Sequence, residues 1–166
     1  MRGHRAAAVA TILLSIALPS IAHAGEDELI LAVEPGWALL HFTDDANHGG
    51  AAGVSAWLGV TETIWLAAST GIALGFVEKS AVSELLAGIV VALDVLRVVP
   101  YGEALIGAVA SKETVEPSFR FGLGADYLIS PAIGIGLVAR YRPLTDTLGG
   151  DGLFTAQVRL SLRIEL

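Results

Sequence analysis

The last ten residues, QVRLSLRIEL, divide cleanly by parity. Val158, Leu160, Leu162, Ile164 and Leu166 fall on one side, and Gln157, Arg159, Ser161, Arg163 and Glu165 on the other. A period of two marks a β-strand with two unlike faces. The same alternation recurs upstream. Phe119, Phe121, Leu123, Ala125 and Tyr127 oppose Arg120, Gly122, Gly124 and Asp126, while Ile133, Ile135, Leu137, Ala139 and Tyr141 oppose Gly134, Gly136, Val138, Arg140 and Arg142. In the middle of the chain, Leu85, Ala87, Ile89, Val91, Leu93 and Val95 oppose Glu84, Leu86, Gly88, Val90, Ala92 and Asp94. That strand is apolar on both sides apart from its ends.

The stretch 51–76, AAGVSAWLGVTETIWLAASTGIALGF, has the length and hydropathy of a membrane helix. Its internal pattern predicts strands instead: Leu66, Thr70, Ile72, Leu74 and Phe76 alternate with Ala67, Ser69, Gly71, Ala73 and Gly75. Eight strands are predicted in all, at 28–42, 51–60, 64–76, 84–94, 99–110, 118–128, 132–142 and 153–166. Each is long enough for a tilted transmembrane strand of roughly 9–11 residues. An even number lets an antiparallel meander close with both termini at one end.

The connections alternate in length. Thr61–Thr63, Val95–Val98 and Ile129–Pro131 are tight, whereas Thr43–Gly50, Val77–Ser83, Ser111–Pro117 and Pro143–Gly152 are longer and more charged. Short periplasmic turns and longer outside loops belong to outer-membrane barrels. The aromatics sort likewise: Phe42, Phe76, Phe119, Tyr141 and Phe154 at loop ends, and Trp57, Trp65, Tyr101 and Tyr127 at turn ends. They are expected to form two interfacial belts.

Composition reinforces the membrane reading. Hydrophobic residues make up 54% and charged residues only 16%, below the roughly 25% usual for soluble chains. Mean hydropathy is +0.66. Cysteine is absent, so no disulfide framework holds the fold. Arg2 and Arg5, the apolar run Ala6–Leu18, Pro19 and the Ala22-His23-Ala24 site predict a secretory signal peptide over residues 1–24, with 25–166 as the barrel domain. Without the leader, which carries Arg2 and Arg5 of the 10 basic residues and none of the 17 acidic ones, the net charge is 8 − 17 = −9, which disfavours nucleic acid as a partner.

The hairpin FRFGLGADYLISPAIGIGLVARY (119–141), with glycines on one face, aliphatics on the other and a serine-proline turn, together with the terminal strand, resembles the small eight-stranded outer-membrane β-barrels. The chain is similar to the transmembrane domain of outer-membrane protein A or to the outer-membrane protein W type, over its whole length beyond the leader. The resemblance implies an all-β, eight-stranded antiparallel up-and-down transmembrane barrel in a Gram-negative cell envelope, with periplasmic termini. It also implies outer-membrane lipid, lipopolysaccharide and the barrel assembly machinery as partners, and a monomer. Members usually end on an aromatic residue, whereas this chain ends on Leu166, and its outside loops are short.

In a closed barrel the leucine side of each strand faces lipid and the arginine side faces the lumen. Parity then sends Glu34, Glu84, Asp94, Arg120, Asp126, Arg140, Arg159 and Arg163 inward as a lumen charge network. Closure sets the first strand beside the last, so Glu34 is expected near Arg159 or Arg163. Buried charges must pair or meet water.

Little else points to chemistry. His41, His48, Asp44, Asp45 and Ser55 are the residue types a rim hydrolase would use, but the His-x-Ser spacing of lipid-deacylating barrels is missing, so no enzyme is predicted. TDDANHGG lacks the alternate-position ligand spacing of a calcium loop and reads as a polar turn opened by Gly49 and Gly50. No cofactor or metal site is predicted. Lys79 and Lys112 stand in outside loops, where lipopolysaccharide phosphates could meet them, beside the opposing charges Glu78 and Glu113.

Two functions follow as expectations. One is a structural or surface-interaction protein of the outer membrane. The other is a narrow, porin-like channel or transporter for small ions or small apolar solutes. A periplasmic lipocalin-like binder is a third, and would need the aliphatic faces inside.

Overall fold

The computed structural model describes residues 27–41, 46–75, 81–93, 97–110, 115–143 and 152–166. The predicted leader and the loop residues Phe42, Asp44, Asp45, Phe76, Lys79, Asp94 and Lys112 lie outside them. Eight strands follow in chain order: β1 (Glu28–His41), β2 (Ala46–Gly59), β3 (Ile64–Gly75), β4 (Ala81–Ala92), β5 (Val98–Ala110), β6 (Val115–Leu128), β7 (Ile133–Pro143) and β8 (Gly152–Glu165). Each pairs antiparallel with its neighbours in sequence, and β1 pairs with β8 to close the barrel. Among the described residues no helix is long and apolar enough to cross a membrane. The helix-like stretch 51–76 is the β2–β3 hairpin.

The short turns are built from local hydrogen bonds. Val60 N and Thr61 N both donate to the Ile64 carbonyl, and Thr61 Oγ1 accepts from Ile64 N at 3.0 Å. Ser130 plays the same part at the β6–β7 turn, its Oγ accepting from Ile133 N at 3.1 Å. At the first of these turns the hydroxyl replaces a backbone acceptor, and at the second it shares Ile133 N with the Ser130 carbonyl at 3.3 Å.

The strands run further than their alternation suggested. β2 starts at Ala46, β4 at Ala81 and β6 at Val115, taking residues from three stretches read as loop. Gly49 and Gly50, expected in a turn, pair instead with Ala38 and Trp37 on β1. Their lack of side chains hid the strand period while permitting close packing. At Gly49 a Cβ would overlap the Leu74 carbonyl oxygen on β3. Gly49→Val is therefore expected to cost about 3 kcal/mol, the upper end for overpacking. Loss of the compact, detergent-resistant band on an unheated gel would report it, and a wild-type band would refute it.

Orientation is set by the faces of β8. Arg159 is 0% exposed and its neighbour Leu160 is 47% exposed, so the arginines point into the lumen and the leucines outward. This excludes the inverted, lipocalin-like barrel. The outer surface is a continuous apolar girdle that includes Leu31, Val33, Leu66, Ile72, Leu85, Ile106, Leu137 and Leu162, the surface a hydrocarbon solvent requires.

The aromatic residues need a correction. Phe119, Tyr127, Tyr141 and Phe154 do face outward. Trp57, Trp65 and Tyr101, expected in the turn-end belt, are only 2%, 1% and 4% exposed and lie inside. They pack with Ile30, Leu86, Val90, Val99, Leu105 and Leu128 into an apolar core filling the turn end of the lumen. Glycine and alanine elsewhere leave that space, and large rings fill it: at Gly124 a Cβ would overlap the Tyr101 ring. The inward side of β4, apolar in sequence, is the wall of this plug.

Candidate functional site: the lumen charge chain

Above the apolar plug the inward parity positions carry charge, and the charges form one ordered series. Arg142 on β7 pairs with Glu84 on β4, whose other oxygen pairs with Arg120 on β6. Arg120 Nε reaches Glu103 on β5 at 3.1 Å, and Glu103 Oε1 accepts from Arg140 Nε at 2.7 Å. Arg140 Nη1 donates to Glu34 on β1 at 2.6 Å. Glu34 Oε1 accepts from Arg159 Nε on β8 at 3.2 Å, across the closure seam. Arg159 Nη1 pairs with Asp126 on β6. Four guanidiniums and four carboxylates thus alternate in sign along a single chain, from Arg142 toward the loop end to Asp126 beside the plug.

Alternation lowers the cost of burying eight ions. Glu34, Glu84 and Glu103 each serve two arginines, and Arg120, Arg140 and Arg159 each serve two carboxylates. No charge inside the series faces only its own sign, as ions buried away from bulk water require. Hydroxyls take up further capacity: Ser55 Oγ donates to Glu34 Oε1 at 3.0 Å, and Arg120 Nη2 donates to Ser69 Oγ at 3.0 Å. Near the chain terminus at the turn end, Arg163 lies 3.9 Å from Glu28.

Arg159 joins the charge chain to the plug. Its guanidinium carbon sits 3.5 Å from the Trp57 ring centroid and 5.4 Å from that of Tyr101. The two rings meet edge to face at 4.9 Å. A cation over an aromatic face is attracted by the ring quadrupole, more strongly where water is excluded.

The seam has its own device. The β1–β8 ladder runs from Glu28↔Glu165 to Val33↔Leu160 and resumes at Gly36↔Gln157, skipping Glu34 and Pro35. Pro35 has no N–H to give. The Gln157 side chain stands in, Nε2 donating to the Glu34 carbonyl at 2.7 Å while Oε1 accepts from Arg140 Nη1 at 2.6 Å. A buried carbonyl left without its rung is thereby satisfied.

Of the eight charges expected in the lumen, Glu34, Arg120, Asp126, Arg140, Arg159 and Arg163 are buried there, and Glu84 is partly buried at the loop end. Asp94 lies outside the described residues. Glu28, Glu103, Arg142 and Gln157 belong to the same interior and were missed. Glu28, Arg142 and Gln157 have the right parity. Glu103 was concealed because its inward neighbours Tyr101 and Leu105 are larger than the outward Gly102 and Ala104. Of the hydrolase-type residues, Asp44, Asp45 and the His41 side chain lie outside the described residues; Ser55 faces inward onto Glu34, while His48 faces outward and stacks on Trp37, with ring centroids 5.3 Å apart.

No protein-family model and no curated protein matches this sequence. Solved structures do. Neisserial surface protein A (NspA) superposes with a TM-score of 0.70 at 11% identity, covering 83% of this chain and 97% of that one. Ail, the attachment invasion locus protein of Yersinia pestis, gives 0.61 at 17% identity, covering 84% and 99%. The outer membrane protein OprG from Pseudomonas aeruginosa gives 0.55 at 9% identity, covering 86% and 99%. With strand number, order, closure and an apolar outer girdle all in place, the chain has the fold of the small eight-stranded outer-membrane β-barrels.

Proposed function

We propose that this protein is a non-conducting, non-enzymatic barrel of the bacterial outer membrane. It anchors short loops at the cell surface and serves the envelope as a structural or surface-interaction protein. Both termini then lie in the periplasm, since they share the end that carries the tight turns. The observation that carries this reading is the layer of Arg159, Trp57 and Tyr101. Arg159 is fully buried, spans from Glu34 to Asp126 and is capped by two aromatic rings. An eight-stranded barrel is just wide enough for its own side chains, and here they fill it.

Two of the similar structures are named as a surface protein and an attachment invasion locus protein, which favours presentation at the surface over transport. Outer-membrane lipid and lipopolysaccharide would surround the girdle, and the assembly machinery would insert the chain. A closed sheet has no edge left for a second copy to extend, so a monomer is expected. Planar-bilayer recording tests the lumen directly. The purified protein is expected to give no discrete openings over a range of salt and voltage, and stepwise conductance would favour the channel reading instead.

A further inference from the structure

The eight ladders of the barrel are not alike. The seven that join consecutive strands run unbroken over their paired length. The closing ladder is interrupted in its interior, at Glu34 and Pro35 facing Arg159 and Val158. It resumes at Gly36↔Gln157 in unchanged register, so the interruption is a gap and not a bulge. On the lipid side Pro35 and Val158 border the gap, both exposed and neither with a polar side-chain atom. The side-chain hydrogen bonds that span it come from the lumen. Gln157 Nε2 donates to the Glu34 carbonyl at 2.7 Å, and Arg159 Nε donates to Glu34 Oε1 at 3.2 Å.

Gln157 also reaches the other way. Its Oε1 accepts from Arg140 Nη1 at 2.6 Å, and Arg140 Nη1 and Nη2 donate to the Glu34 carboxylate at 2.6 and 3.0 Å. Glu34, Gln157 and Arg140 thus close a ring of hydrogen bonds through β1, β8 and β7. One side-chain amide fastens the backbone of the seam to the charge chain. Local opening favours the places where the fewest backbone hydrogen bonds must break, and here two rungs are absent before anything moves. We propose that Gln157 is a latch, coupling closure of the β1–β8 wall to the assembled charge chain. When the latch lets go, the seam over residues 33–37 and 157–160 opens locally while the other ladders stay paired. The state of the lumen charges is thereby transmitted to the wall that faces the lipid.

This inference concerns the wall and stands whether or not the plug conducts. The test is amide relaxation dispersion by NMR on the full protein refolded in detergent micelles, which reads motion between microseconds and milliseconds. In the unmodified protein, exchange is expected at the amides of 33–37 and 157–160, with flat profiles along the unbroken β3–β4 ladder from Ile64↔Val91 to Leu74↔Ala81. Gln157→Leu keeps the bulk and removes both bonds of the latch. It should raise the opened population at the seam about tenfold, the effect of one ordinary hydrogen bond, and leave β3–β4 flat. Flat profiles at the seam of the unmodified protein would overturn the proposal, as would a Gln157→Leu seam no more mobile than the parent. Equal growth of exchange along β3–β4 would overturn it too, since the change would then loosen the whole barrel. If Gln157→Leu does not fold, Gln157→Asn, one methylene shorter, takes its place with the same outcomes.

Discussion

Glu34→Gln is expected to lower the unfolding free energy by about 3–5 kcal/mol, the range for breaking a buried ion pair from one side. Glu34 is 1% exposed and accepts from Arg140 at 2.6 and 3.0 Å, from Arg159 at 3.2 Å and from Ser55 at 3.0 Å. Glutamine keeps the shape, removes the charge and turns an N–H₂ toward guanidiniums that themselves only donate. Arg140 keeps Glu103 and Arg159 keeps Asp126, which favours the lower half of that range. Urea titration in micelles would measure it. Pairing the change with Arg159→Gln restores neutrality, so the double variant should lose less than the sum of the singles by about 0.5–3 kcal/mol. A Glu34→Gln loss within about 0.5 kcal/mol of zero would mean that Glu34 is screened as a surface group is, and that its burial does not make the pairing matter.

Trp57→Ala should be comparably severe, at about 3–5 kcal/mol, for a different reason. It deletes a ring that is 2% exposed, removing the edge-to-face partner of Tyr101 and the surface on which Arg159 lies. The void would open between the plug and the charge chain, where water has polar groups to meet. Discrete conductance should then appear in planar bilayers, and Trp37→Ala, on the outer face, should give none. If Trp57→Ala melts like the parent protein, the ring does not hold the plug together. If it is destabilised yet silent in bilayers, the seal resides in the other members of the plug, Trp65, Leu86 and Leu105 among them.

How much of this could be read from residues alone depends on what each strand offered. In β8, bulky aliphatics and arginines differ so strongly that period two gives the strand and its two faces together, while the register stays open between Arg159 and Arg163 as partners of Glu34. In β5, PYGEALIGAV carries its larger side chains inward, so ranking by size puts Glu103 on the wrong side. In β2, the inward set Ser55, Trp57 and Gly59 is hardly more polar than the outward Val54, Ala56 and Leu58, and position near a turn suggested a belt for a ring that plugs the lumen. Closure logic brings Glu34 to Arg159 because β1 adjoins β8. It is blind to Arg140, which reaches Glu34 from β7 across the interior, past the strand between them. Neighbour rules describe a sheet. The alternating series belongs to the tube.

Closure also has a kinetic side. Seven strand pairings join consecutive elements, whereas the eighth joins the first strand to the last, Glu28 to Glu165. The extra loop entropy of that last pairing grows only logarithmically with its span. The heavier penalty falls on the intermediate. Until β1 meets β8, each presents a row of unpaired N–H and C=O groups, which in hydrocarbon cost several kcal/mol apiece and in water invite pairing with another chain. Strand-by-strand entry into hydrocarbon would leave both edges unpaired, so closure of β1 on β8 is expected to be concerted with insertion.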